Sequence, residues 1–181
     1  MTNFCADGAV TNPKCYKISD YAPRFVSEEY ILDTLLDIFK SELPNNLKKI
    51  KDCQNNPMVI SEDSIGLHPP LEVGRFQLVI NPLGDIPTYP EHKINRSVEY
   101  NFELILTVGN EVLECVNWEL IRFKNEVESL LNSVEFLIDS YDSIYLEPRG
   151  FNYYPIGGKN GVYYRQGAYR FSVTVSQYKI N

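Results

Sequence analysis

Few side chains in this sequence are of the types that perform catalysis. The two histidines, His68 and His92, both lie in proline-rich stretches. A nucleophilic triad needs a histidine within hydrogen-bond reach of a serine or cysteine and of a carboxylate. Two histidines in separate loops favour neither that arrangement nor a metal site. The sequence therefore predicts no catalytic residues, and we expect that the protein is not an enzyme.

The four cysteines stand at positions 5, 15, 53 and 115, and their spacing matches neither a CxxC motif nor a zinc ribbon. The first ten residues lack the basic flank and the apolar core of a signal peptide, so we expect a chain made in the reducing cytosol. Free thiols are the favoured state there, ahead of a metal or disulfide role. We predict no bound metal and no cofactor.

The run Gly157-Gly158-Lys159 has some likeness to a phosphate-binding loop. Such a loop requires a glycine where this chain has Tyr153, and a serine or threonine where it has Asn160. The run also lies between strand-like segments instead of opening a helix. A turn in a β-hairpin is the favoured interpretation.

Glu99 and Glu103 lie four residues apart on one predicted strand. The strand rise separates their side chains by about 13 Å. Paired carboxylates in glycoside hydrolases are about 5–9.5 Å apart. The favoured role of these two residues is a polar row that faces solvent or an interface.

Charge and hydropathy exclude several classes of partner. The formal net charge is −7 and the sequence pI is about 4.9, which disfavours a nucleic-acid groove and an anionic membrane surface. No apolar stretch approaches the roughly 18–20 residues of a membrane span, so no membrane partner is expected. An acidic surface is compatible with DNA passing along it without specific binding.

Tyrosine is abundant and clustered, with 13 tyrosines against a single tryptophan. Tyr153, Tyr154, Tyr163 and Tyr164 flank the glycine run at 157–161. Tyrosine rings suit half-buried surfaces because the ring packs while the hydroxyl keeps a hydrogen bond. The predicted hairpin is therefore a candidate interface, or else a platform for stacking on sugar rings.

These residues must be positioned by helices and strands that the periodicity predicts. Residues 1–24 read as an extended arm and residues 25–181 as a single domain. One helix is predicted over 27–43 and ends at Pro44. A second helix is predicted to begin between 111 and 118, with an apolar stripe that continues to Ile138. Strands are predicted at 58–60, 75–80, 96–108, 144–146 and 168–178, and a long loop or outstretched hairpin at 81–95. The predicted class is α+β, an antiparallel (mixed) sheet packed by two main helices, with long loops.

This order of elements resembles the tail terminator (tail completion) proteins of tailed bacteriophages. The resemblance is carried by the first helix, the strand RSVEYNFELILTV, the helix WELIRFKNEVESLLNSV and the closing strand AYRFSVTVSQY. It implies a homo-oligomeric ring, expected to be a hexamer, that caps the tail tube and stops its growth. It also implies a virion protein that is assembled in the host cytoplasm, contacts the tail tube protein and the head connector, and lets DNA pass through its lumen.

Several segments could form the ring contacts or line its lumen. By position, the N-terminal arm and residues 81–95 could reach neighbouring subunits, as could the tyrosine hairpin. The candidate interface residues are Pro82, Ile86, Tyr89, Pro90, Tyr153, Tyr154, Tyr163 and Tyr164. The candidate acidic residues facing the lumen are Glu99 and Glu103. A neck or head–tail adapter protein is an alternative, and so is a carbohydrate- or receptor-binding module that uses the tyrosine hairpin.

Overall fold

The structure is a computed structural model that describes residues 27–69, 74–88, 95–133 and 143–178. This part of the chain contains the helices α1, Glu28–Leu47, and α2, Leu113–Ser133, and a 3₁₀ turn at Glu62–Ser64. The strands are β1 Ile65–Gly66, β2 Phe76–Thr88, β3 Asn95–Asn110, β4 Ser143–Tyr153, β5 Gly157–Lys159 and β6 Val162–Tyr178. The arm predicted for residues 1–24 and the apolar stripe predicted beyond residue 133 lie outside the described residues.

The strands form one mixed sheet in the order β1-β2-β3-β6-β4, and β5 pairs with β6. β1 runs parallel to β2, whereas the other pairings are antiparallel. The long central pair β3–β6 extends from Asn95 opposite Tyr178 to Asn110 opposite Tyr163. The predicted α+β class with two main helices is confirmed.

The strict alternation of β3 determines which face of the sheet is buried. Even-numbered side chains from Val98 to Val108 are buried, as are the odd-numbered Tyr169 to Val175 of β6. Phe102 and Phe171 stack across this strand pair with their ring centroids 5.3 Å apart. Each fully buried large apolar side chain contributes roughly 1.5–3 kcal/mol of hydrophobic free energy. The core therefore lies on this face.

α1 begins as predicted, because the hydroxyl oxygen of Ser27 accepts a hydrogen bond from the backbone N–H of Tyr30. The predicted end at Pro44 is wrong, since the helix continues to Leu47. Pro44 lacks an N–H donor, but it stands in the last turn, where Leu43 and Leu47 are both fully buried. Packing of this turn against the core retains it in the helix.

α2 covers the buried face of β3 and β6 with an amphipathic stripe. Its ring contact with the sheet is Phe123, which meets Phe76 of β2 edge to face at 5.7 Å. The buried residues of α2 are Cys115, Val116, Glu119, Leu120, Phe123, Val127, Leu130 and Leu131. No helix in the described part of the chain combines the length and apolar character of a membrane span.

Two strand predictions require correction. The strand predicted at 58–60 is a loop, in which Met58 and Ile60 are nevertheless buried. The strand predicted to stop before Pro148 continues to Tyr153 through a bulge between Pro148 and Gly150. β4 is an edge strand of the sheet, and an edge strand tolerates Pro148 because no hydrogen-bond donor is needed on its outer side.

The segment predicted at 81–95 as a loop or an outstretched hairpin belongs largely to the sheet. β2 continues to Thr88 through a bulge between Pro82 and Gly84, and pairs with β3 along this extension. The outstretched-hairpin alternative therefore describes this region, while residues 89–94 lie outside the described residues.

Candidate functional site

Three strands and the start of α2 converge at one end of the sheet. Asn110, the last residue of β3, pairs with Tyr163 near the start of β6. Tyr153, the last residue of β4, pairs with Gly167 of β6. Because α2 begins at Leu113, its first turn lies close to this end as well.

This end exposes a group of large apolar side chains. Trp118, the only tryptophan of the chain, is 59% exposed. The other exposed apolar residues here are Val112, Leu113, Tyr153, Tyr154, Ile156 and Tyr163. We call these seven residues the hairpin end. A single exposed apolar side chain is ordinary on a protein surface, but a group of several at one end of a sheet is typical of an interaction site.

Arg165 joins the helix and strand parts of the hairpin end. Its guanidinium lies 4.9 Å from the ring centroid of Tyr153 and donates from Nε to the backbone carbonyl of Tyr154 at 3.3 Å. Its Nη1 donates to Oδ1 of Asn117, the neighbour of Trp118. A single cation therefore holds the hairpin against the first turns of α2.

A glycine on β6 and a phenylalanine on β4 also hold Tyr153 in place. A Cβ built on Gly167 would lie 2.2 Å from Cζ of Phe151, so the ring of Phe151 occupies the space that a side chain would need. Phe151 in turn meets the ring of Tyr153 edge to face at 4.7 Å. The absence of a side chain at position 167 is what permits this packing.

The predicted interface residues fall in four groups. Tyr153, Tyr154 and Tyr163 are exposed and belong to the hairpin end. Tyr164 is half-buried, and its ring covers Gly109 of β3. Pro82 and Ile86 are exposed on β2 together with Leu83. Pro82 pairs with Phe102 near the middle of β3, and Ile86 pairs with Glu99 in its first half. Tyr89 and Pro90 lie outside the described residues.

We call Pro82, Leu83 and Ile86 the β2 surface. Ile86 is 57% exposed and pairs with Glu99 of β3, whereas Tyr163 of the hairpin end pairs with Asn110. These two positions on β3 are eleven residues apart, or about 35 Å at the rise of a strand. The hairpin end and the β2 surface are therefore separate apolar surfaces.

Glu99 and Glu103 lie on the face of the sheet opposite the core, which we call the open face because no helix covers it within the described residues. Arg149 donates from Nη2 to Oε1 of Glu99 at 2.6 Å, and Arg170 donates from Nε to Oε1 of Glu103 at 2.8 Å. Each carboxylate thus has an arginine partner, and this face carries both signs of charge. The lumen-facing role assigned to the two glutamates stays a prediction.

A buried polar cluster lies where the loop after α1 meets the start of α2. Glu119 is fully buried, and its Oε1 accepts hydrogen bonds from Nη2 of Arg75 at 2.7 Å and from Nδ2 of Asn110 at 2.9 Å. Asp52 is also buried, and its Oδ2 lies 3.0 Å from the same Nη2 of Arg75. Its Oδ1 accepts from the backbone N–H groups of Gln54 and Asn56. These contacts fix the loop to α2.

The surroundings change the proton affinity of this cluster. Burial by itself would raise the pKa of Asp52, but the hydrogen bonds from the backbone of Asn56 and Gln54 and from Arg75 outweigh it and lower the pKa. Partial burial beside the sulfur of Cys115 raises the pKa of the Cys53 thiol to about 11. The carboxylate of Asp52 is therefore held charged and the Cys53 thiol protonated near neutral pH.

The sequence analysis did not identify this cluster. Its members come from distant positions, and only the spacing of Cys115 and Glu119, four residues apart on one helix face, gave a local signal. Glu119 also interrupts the apolar stripe of α2, and such a buried charge requires partners from elsewhere in the fold.

No protein-family model matches the chain, and no curated protein matches it. The function is therefore argued from the surfaces described above.

Proposed function

We propose that the protein is a structural component of a phage virion, of the tail terminator type, that assembles into a closed ring through its hairpin end. The observation that carries this proposal is the exposed aromatic group around Arg165. Tyrosine, tryptophan and arginine are the residues most enriched in protein interfaces and in their energetic hot spots. Trp118, Tyr163 and Arg165 supply all three types at the same end of the sheet, where Arg165 lies two residues after Tyr163 on β6 and donates to Asn117, the neighbour of Trp118.

The arrangement of the two apolar surfaces favours a ring over a two-fold dimer. A closed ring forms when one surface of each subunit binds a different surface of the next. The hairpin end lies beside the last residue of β3, whereas the β2 surface lies along the middle and first half of that strand, so they are suitably placed to act as these complementary surfaces. In this proposal the hairpin end of one subunit packs on Pro82, Leu83 and Ile86 of its neighbour.

The remaining roles follow from the resemblance to tail terminators. The ring, expected to be a hexamer, would end the growth of the tail tube and present a surface to the head connector in the virion. The open face would line the lumen, with Glu99 and Glu103 nearest the passing DNA. A neck or head–tail adapter protein would use the same ring geometry at a neighbouring position.

A second candidate function uses the same residues differently. The exposed rings of Tyr153, Tyr154 and Tyr163 could stack on the apolar faces of sugars in a carbohydrate- or receptor-binding module. This alternative predicts a monomer that binds oligosaccharides, whereas the ring proposal predicts an assembly that does not require them.

The test is the mass of the purified full chain, measured by multi-angle light scattering over a range of concentrations, with negative-stain images of the largest species. We expect a discrete oligomer that appears as rings. Replacing Trp118 and Tyr163 by serine should weaken assembly at least about 100-fold, because two central aromatic contacts are lost.

The matched control replaces Val59 and Leu67 by serine. Both are exposed apolar residues, but they precede β1 or follow it closely and do not belong to the hairpin end. This control should assemble like the unaltered chain. A chain that is monomeric at every concentration, and that binds oligosaccharide through its tyrosines, would overturn the ring proposal in favour of the second candidate.

A further inference from the structure

Two thiols and a carboxylate meet at the buried polar cluster. Cys53 comes from the loop after α1, and Cys115 and Glu119 lie one turn apart on the same face of α2. One ligand atom from each residue, the two sulfurs and a carboxylate oxygen, all lie within 4.8 Å of one another. This geometry brings together three groups that bind metal ions.

Only one of the two carboxylate oxygens of Glu119 accepts hydrogen bonds. Oε1 receives the donors Arg75 and Asn110, and the backbone N–H of Cys53 approaches it at 3.5 Å. Oε2 is buried and has no hydrogen-bond partner among the described residues. A buried carboxylate oxygen without a partner is costly, since it has lost its water without gaining a donor or a cation. This unsatisfied oxygen indicates that a ligand is missing from the site.

We propose that Cys53, Cys115 and Glu119 bind one zinc ion. Zinc–sulfur bonds of about 2.3 Å in tetrahedral geometry place two sulfurs about 3.8 Å apart. The two sulfurs therefore need to approach each other by at most about 1 Å, and a sulfur and the carboxylate oxygen by slightly more. Two thiolates with one carboxylate suit a borderline-soft ion such as zinc, whereas magnesium and calcium prefer sites made of oxygen ligands.

The surroundings fit such an ion. Arg75 and Asn110 hold Oε1, and outer hydrogen bonds of this kind orient a ligating carboxylate. Cys53 is exposed, so a water molecule can take the fourth position. Binding requires that both thiols release their protons to solvent, which leaves two thiolates and a carboxylate around a doubly charged cation.

The ion would act as a clip between the loop after α1 and α2. Arg122 of α2 already donates to the backbone carbonyl of Lys51 in the same loop, so the clip would strengthen an existing contact. The proposal does not depend on ring assembly, because none of the three ligands belongs to the hairpin end or to the β2 surface.

The test is a zinc titration of the full chain, first reduced and freed of metal with a chelator, in competition with a chromophoric zinc indicator. We expect one equivalent of tight binding and a higher melting temperature with zinc. The Cys53→Ser variant should bind at least about 100-fold more weakly and lose the thermal shift. Cys53 is exposed, so this variant should still fold.

The matched control is the double variant Cys5→Ser and Cys15→Ser, which removes two thiols and leaves the proposed ligands intact. It should bind zinc like the unaltered chain, and Co²⁺ in place of zinc should give the thiolate charge-transfer bands of a tetrahedral site. Three results would each overturn the proposal: no binding, binding that survives Cys53→Ser, or a Cys53–Cys115 disulfide that persists under reducing conditions.

Discussion

The hairpin end and the open face are two regions of the same sheet, and they differ in whether their side chains have partners within the chain. On the open face, Glu103 has an arginine partner on the neighbouring β6, and Glu99 has one on β4, two strands away. At the hairpin end, Arg165 is bound within the chain, but the surrounding aromatic side chains have their surfaces in solvent.

The difference indicates which region is built for contact with another protein. Ion pairs at a surface are satisfied in water and gain little from being covered, because their desolvation offsets the attraction. Exposed aromatic rings gain free energy as soon as a partner removes them from water. We therefore assign association to the hairpin end and not to the ion pairs of the open face.

The largest effect on the free energy of unfolding is expected from a change that displaces Phe151, which packs against Tyr153, and leaves the seven residues of the hairpin end unaltered. In Gly167→Ala, the new methyl group would meet Phe151 at 2.2 Å, and the ring would have to leave its place beside Tyr153. We expect the free energy of unfolding to fall by roughly 1–3 kcal/mol, as for other overpacked sites. Urea denaturation followed by circular dichroism measures this change.

The control for that variant is Gly157→Ala, on β5. A Cβ at this position meets nothing within 4 Å, so its effect on unfolding should be small. A Gly167→Ala variant as stable as the Gly157→Ala variant would show that the Phe151 packing does not constrain the hairpin end.

A smaller effect is expected on the open face. Removal of the Glu99–Arg149 pair through Glu99→Gln, Arg149→Gln and their combination should give a coupling energy of about 0.2–1 kcal/mol. Both side chains are partly exposed, so solvent and salt screen the pair and the coupling should decrease at high ionic strength. The cycle is best measured in the chain that carries Trp118→Ser and Tyr163→Ser, where association does not contribute. A coupling energy above about 2 kcal/mol would mean that this face is not simply solvated.

The sequence predicted those elements whose periodicity is long and regular. The alternation of β3 and β6 and the cap at Ser27 gave the sheet, its buried face and the start of α1. Errors arose where tertiary contacts override a local signal. Pro44 stays helical because its turn is buried, and Pro148 stays in a strand because β4 is at an edge.

The candidate site was predictable only where its residues lie close together in the sequence. Tyrosines that flank a glycine turn pointed to the hairpin, but Trp118 joined it only when the fold brought the start of α2 to the same end of the sheet. The arginine partners of Glu99 and Glu103 depend on strand register. The cluster of Asp52, Arg75 and Glu119 depends on contacts between residues far apart in the chain, which composition and spacing do not reveal.

The most direct test of the central claim is a cross-link between the hairpin end of one subunit and the β2 surface of the next. Cys5, Cys15 and Cys53 are first replaced by serine. Cysteines are then introduced in the same chain at two exposed positions beside the surfaces and not in them, by Lys159→Cys next to the hairpin end and by Asp85→Cys next to Ile86. A short bifunctional maleimide is added, and the products are counted on a denaturing gel. We expect a ladder of cross-linked subunits that ends at the number in the closed ring, expected to be six, while each single variant gives no ladder. If Lys159→Cys alone yields dimers and the double variant yields nothing larger, the subunits meet through two hairpin ends, and the head-to-tail ring is contradicted.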